Sequence, residues 1–153
     1  MSFRFKYSSI QIECSVLMLA IALLSGCEQS KYELVAVSGR VTFDGENCPA
    51  SGSVTFQPLE IAAGLPKRPA TGKFGVDGEY TVNSFSDSEG VMPGRYRVEV
   101  TCFAGGPDLS APDPWAAVDY IAEEYEPTEL TIDEDNGSVK YDIDVPRRRK
   151  TTQ

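Results

Sequence analysis

Residues 93–100, Pro93-Gly94-Arg95-Tyr96-Arg97-Val98-Glu99-Val100, alternate apolar and charged side chains without a break after a Pro-Gly turn. Successive side chains of a strand point to opposite faces. This period of two therefore puts Tyr96, Val98 and Val100 in a core and leaves Arg95, Arg97 and Glu99 outside. A half-buried strand needs partners, and the same pattern recurs on both sides of it. Upstream, Val37–Phe43 alternates and ends in the turn Asp44-Gly45, and Gly52–Gln57 repeats the pattern until Pro58 stops it. These two are expected to pair antiparallel across Glu46–Ser51. Thr71–Val76 and Glu79–Asn83 flank Asp77-Gly78, a tight-hairpin dipeptide. Leu59–Pro69 and Ser84–Met92 read as loops.

Downstream, Ala104–Pro114 is rich in glycine and proline and reads as a long loop, and Trp115–Glu124 has the mixed spacing of a short helical turn. Glu129–Asp133 and Val139–Val145, joined by Asp135-Asn136-Gly137, complete the set. About seven strands with turns at short intervals and almost no helix predict an all-β chain. A single two-sheet β-sandwich over residues 37–146 buries such strands most simply.

Four of these stretches stand in a family order: Gly39-Arg40-Val41-Thr42-Phe43-Asp44-Gly45, Gly52-Ser53-Val54-Thr55-Phe56, Asp77-Gly78-Glu79-Tyr80-Thr81-Val82 and Pro93-Gly94-Arg95-Tyr96-Arg97-Val98. Together they resemble the carboxypeptidase-regulatory-like, or transthyretin-like (prealbumin-like), β-sandwich domain of small planctomycete-type bacterial lipoproteins. Tyr125–Ile132 and the Tyr141–Val145 strand are similar to the C-terminal ends of those proteins. The resemblance implies a cell-envelope setting and a non-enzymatic accessory domain, with no catalytic residues to carry over.

The first 26 residues read as an export signal. Arg4 and Lys6 precede the nine-residue apolar run Val16–Leu24, which is shorter than the roughly 20 residues that a spanning helix needs. The run ends in Leu24-Ser25-Gly26-Cys27, which resembles the bacterial lipobox, so cleavage is expected between Gly26 and Cys27 and lipidation on Cys27. Two or three acyl chains at about 0.8 kcal/mol per buried CH₂ make a firm membrane anchor. Residues 27–36 then form an anchor and spacer. Glu28 in place of Asp favours the outer membrane under the sorting rule of enteric bacteria.

Composition excludes several function classes. The chain has 14 Lys+Arg against 23 Asp+Glu, and removal of Arg4, Lys6 and Glu13 with the signal leaves 12 against 22. So acidic a domain repels phosphate backbones, and nucleic acid is not an expected partner. The sequence contains no histidine, the commonest general base and metal ligand, so neither an enzyme, a metal site nor a cofactor is expected. Cys14 leaves with the signal and Cys27 takes the lipid. Cys48 and Cys102 remain in an oxidising compartment, either bridged or as two free thiols. A bridge closes a 55-residue loop and adds about 2–4 kcal/mol of stability.

Three further clusters carry chemistry. Glu123, Glu124, Glu126 and Glu129 are plentiful carboxylates, but a paired-carboxylate hydrolase needs a cleft that a sandwich of this size scarcely offers. Asp133, Asp135 and Asn136 offer oxygen ligands for calcium without the EF-hand spacing, and a solvated turn is the preferred reading. Trp115, Tyr120 and Tyr125, with Phe103 nearby, form either a surface for sugar or peptide or the closure of one end of the core. Residues 147–153 begin with Arg147-Arg148-Arg149-Lys150 and are expected to be a basic, disordered tail. These readings converge on an exported, lipid-anchored envelope protein acting as a structural or protein-interaction module. A carbohydrate-binding module is the alternative.

Overall fold

A computed structural model describes residues 32–149 apart from Asp87, Ala116 and Ala117. The signal segment, Gly26 and Cys27 lie outside the described residues. The strand of residues 93–100 is the centre of the second of two sheets. As β5 (Gly94–Cys102) it pairs antiparallel with β2 (Gly52–Ile61) on one side and β6 (Thr128–Ile132) on the other. β3 (Ala70–Phe74) completes the order β3-β2-β5-β6. The alternation reads out as predicted, with Tyr96 and Val98 fully buried and Val100 nearly so. The first sheet is built on β1 (Ala36–Phe43), which pairs antiparallel with β4 (Glu79–Val82) and parallel with β7 (Ser138–Lys140) and β8 (Ile143–Val145). Val37, Val41, Phe43, Val82, Ile143 and Val145 from this sheet meet Val54, Phe56, Tyr96 and Val98 from the other in one core. The protein is an all-β sandwich.

Three expectations are corrected. β1 and β2 are not a hairpin pair: each lies in a different sheet, because Asp44-Gly45, both at positive φ (53° and 78°), closes a two-residue turn between Phe43 and Glu46. Chain 47–51 then crosses to the second sheet, with the Cys48 N–H donating to the Val76 carbonyl on the way. β3 and β4 likewise belong to different sheets, meeting at the turn closed by Gly78 N–H and Gly75 O and again where Thr71 and Asn83 exchange backbone hydrogen bonds. The predicted strand 139–145 is two strands, which raises the number to eight among the described residues. Between them the Tyr141 carbonyl turns toward the Tyr80 hydroxyl, and the Asp142 side chain takes the Arg40 N–H that a strand carbonyl would otherwise accept.

The domain also begins earlier than residue 37. Val35 and Val91 exchange backbone hydrogen bonds and both are buried, so part of the predicted 84–92 loop seals the core.

Register places the strand ends. Val35, Ile61, Gly94, Ile132 and Ser138 lie at one end of the sandwich. Phe43, Gly52, Phe74, Cys102 and Val145 lie at the other. The chain enters at the first end, and the loop from Phe103 to Tyr125 leaves from the second.

Candidate functional site

The aromatic residues singled out in the sequence gather at the end remote from Val35 without forming one open surface. The Trp115 ring leans on Phe103 with centroids 4.4 Å apart and remains 42% exposed. The Trp115 carbonyl accepts hydrogen bonds from both Val118 and Asp119. Tyr120 is half-buried against the core, its N–H donating to the Cys102 carbonyl and its ring covered by the Arg147 guanidinium at 5.9 Å. Tyr125 also packs on the core. Its buried hydroxyl has no hydrogen-bond partner among the described residues, and burial pushes its pKa up to about 12. Of the three, Trp115 is the exposed one, and Tyr120 and Tyr125 are half-buried.

The basic run has a different place from the one expected. Arg147 and Arg148 are not free tail. Residues 120–122 and 146–148 form a short antiparallel ladder, with the Ala122 N–H donating to the Pro146 carbonyl and the Arg148 N–H to the Tyr120 carbonyl at 2.7 Å. The Arg148 side chain then fastens the ladder, donating from Nε to the Ile121 carbonyl at 3.1 Å and approaching Glu123 at 3.6 Å. Arg147 N–H also lies 3.4 Å from Asp44 Oδ1, so the β1 turn is tied to the run. These contacts bound a cleft of about 270 Å³ lined by Asp44, Tyr120, Arg147, Arg148 and Arg149. A second hollow of about 330 Å³ continues it past Ala122, Glu123, Glu124 and Pro146. A charge run at a chain end has no apolar alternation, so nothing in the sequence marked these residues as strand-like. The Asp44-Gly45 turn beneath them was legible.

Cys48 and Cys102 are both buried, each as a free thiol in this structure. Cys48 Sγ donates to the Val41 carbonyl at 3.2 Å, and Cys102 Sγ to the Ala50 carbonyl at 3.5 Å. Burial is the main cause that pushes the Cys48 pKa up to about 11, reinforced by the neighbouring Cys102 thiol. Burial raises the Cys102 pKa as well. Both sulfurs are therefore poor nucleophiles and poor metal ligands.

The acidic turn at Asp133–Asn136 is a short 3-10 turn at the end where the chain enters, and among the described residues no three acidic, cysteine or histidine side chains converge as a metal site. It borders an open hollow of about 710 Å³ whose one cation, Arg95, is shared between Glu60 at 2.7 Å and Glu129 at 2.8 Å. A groove of about 530 Å³ lies on the outer face of the first sheet, with Ser38 and Thr81 between Lys73 and Lys140, and Arg40 beside Glu79. Comparison with models of protein families, with curated proteins and with solved structures finds no match to this chain.

Proposed function

We propose that this chain is an exported envelope protein, held to a membrane by lipid on Cys27, whose sandwich is a non-enzymatic interaction module of the transthyretin-like, carboxypeptidase-regulatory-like kind. The observation that carries the reading is the opposition of its two ends. Val35 enters at one end, while the cleft at Tyr120 and Arg147–Arg149 and the exposed loop residue Leu109 belong to the other. The nine residues of β5 span the distance between them, about 30 Å. The chain reaches the sandwich from Cys27 through Val35, and the opposite end is the one we assign to a partner. Glu28 after Cys27 favours the outer membrane as the site.

Fractionation of cells carrying the full chain tests the anchor. Cys27→Ala should move the protein from the membrane fraction to the soluble one, and unchanged retention refutes it. Photo-crosslinkers at Leu109 and at Ala62 test the orientation. Capture of one dominant protein from Leu109 alone supports it, and capture from Ala62 alone overturns it.

One observation favours a second reading, a carbohydrate-binding module: the Trp115 ring rests on Phe103 and keeps an open flank of the kind on which sugar rings stack. Trp115→Ala and Tyr120→Ala should weaken sugar binding in that case, whereas a protein partner held at sheet edges tolerates both changes.

A further inference from the structure

We infer that the cleft between Tyr120 and the Arg147–Arg149 run is an oxyanion-binding site, one that takes the carboxylate or phosphate group of an acidic envelope polymer. The inference rests on the proposed function for its direction toward a partner, and its chemistry stands apart from that reading.

The three arginines have unequal work in the fold. Arg148 holds the ladder to residues 120–122 through the Ile121 carbonyl and Glu123. Arg147 and Arg149 are both exposed, and among the described residues neither has a carboxylate within ion-pair distance of its guanidinium. The fold needs one arginine here, yet three like charges are held together in a chain with a net charge of −9. Among the described residues Asp44 is the one acid lining the cleft itself, and its Oδ1 already faces the Arg147 backbone N–H. Glu123 and Glu124 line the adjoining hollow, where Glu123 approaches Arg148, so the positive charge left without an ion pair is that of Arg147 and Arg149.

Geometry matches one small anion. Residues two apart on an extended run project to the same side about 6.6 Å apart, so Arg147 and Arg149 can converge on adjacent oxygens of one group. The Arg147 guanidinium carbon lies over the Tyr120 ring, 5.9 Å from its centroid. A guanidinium meets carboxylate or phosphate in a paired fashion through its N–H edge. A cleft of about 270 Å³ admits a charged group with the ring that carries it, not a folded domain. The site lies at the end of the sandwich away from Val35.

The test titrates the full chain, at low salt, with trigalacturonate as the carboxylate probe and inorganic phosphate as the phosphate probe, read by calorimetry. Saturable binding of either probe is expected, and the tighter one identifies the group. Arg147→Ala with Arg149→Ala should weaken it about tenfold or more, and the paired Lys substitutions should also weaken it, because they keep the charge and lose the fork. Lys73→Ala with Lys140→Ala removes the same two charges elsewhere and should leave binding near the parent value. Failure of both probes to bind overturns the inference, as does equal weakening by the two alanine pairs. The lysine pair covers the case in which the alanine variant does not fold. Since binding is read without a membrane, failure here leaves the Cys27 fractionation result standing, and the reverse.

Discussion

The backbone N–H of Arg40 donates to Oδ1 of Asp142 at 2.9 Å, across 102 positions of sequence. The acceptor is a side chain at the point where the last predicted strand breaks into β7 and β8, so a carboxylate stands in for the missing ladder carbonyl. Because both residues are exposed, water can replace part of that bond. Asp142→Ala should therefore cost about 1 kcal/mol and Asp142→Asn, which keeps the acceptor, much less. Urea unfolding checks this, and equal midpoints for the two variants would contradict the substitution of carboxylate for carbonyl.

Tyr80 closes the same break from the core side. Its hydroxyl donates to the Tyr141 carbonyl, and Tyr80→Phe should cost about 1–3 kcal/mol by leaving that carbonyl unpaired. Burial raises the Tyr80 phenol well above its usual range and takes Tyr96 and Tyr125 up to about 12. A raised folded pKa means that the unfolded chain loses its proton first. The stabilisation is complete below about pH 10 and falls as pH rises through the folded values. Phenolate absorbance should show these three rings ionising only with unfolding, and early ionisation would argue against their burial.

Asp144 contributes to the acid limb. Its Oδ1 accepts from Thr42 Oγ1 at 2.7 Å and from the Gly45 N–H at 2.8 Å, and those bonds hold its pKa below the usual carboxylate value of 3.8. A depressed folded pKa contributes stability above the unfolded value and loses it as pH falls through the folded one. Thermal midpoints measured from pH 6 down to pH 2 should fall less steeply below about pH 4 in Asp144→Asn than in the parent. Parallel curves would remove Asp144 from the acid response.

Two glycines separate space from backbone geometry. A Cβ on Gly39 would fall on the Tyr141 carbonyl oxygen, whereas one on Gly45 meets nothing within 4 Å but sits at φ 78°. Gly39→Ala should cost about 3 kcal/mol or more by overpacking, and Gly45→Ala about 1–2 kcal/mol of left-handed strain. Denaturant midpoints give the order, and a milder effect at Gly39 would contradict the close approach of β1 and Tyr141.

Cys48 and Cys102 should react with a thiol reagent at pH 8 only as the chain unfolds, since burial raises both pKa values. Prompt labelling of the folded chain would show that they are accessible. An intact mass two protons lower, before reduction, would show that the compartment has bridged them.

What could be read along the chain was whatever depends on near neighbours. The alternation at 95–100 placed Tyr96, Val98 and Val100 inward because a strand repeats every two residues, and Asp44-Gly45 and Asp77-Gly78 marked turns through their own backbone preferences. Sheet membership was not legible. Whether β2 follows β1 in one sheet or crosses to the other depends on which apolar faces must meet, and Val41 and Val54 carry no sign of it. The candidate site was hidden for the same reason. The run at 147–149 is ordered by carbonyls of Tyr120 and Ile121 and by Glu123, groups found only once the chain has returned to that end. Local chemistry set the strands and turns. Burial of both sheet faces at once, a property of the whole chain, set their pairing and brought three arginines to the rim of Tyr120.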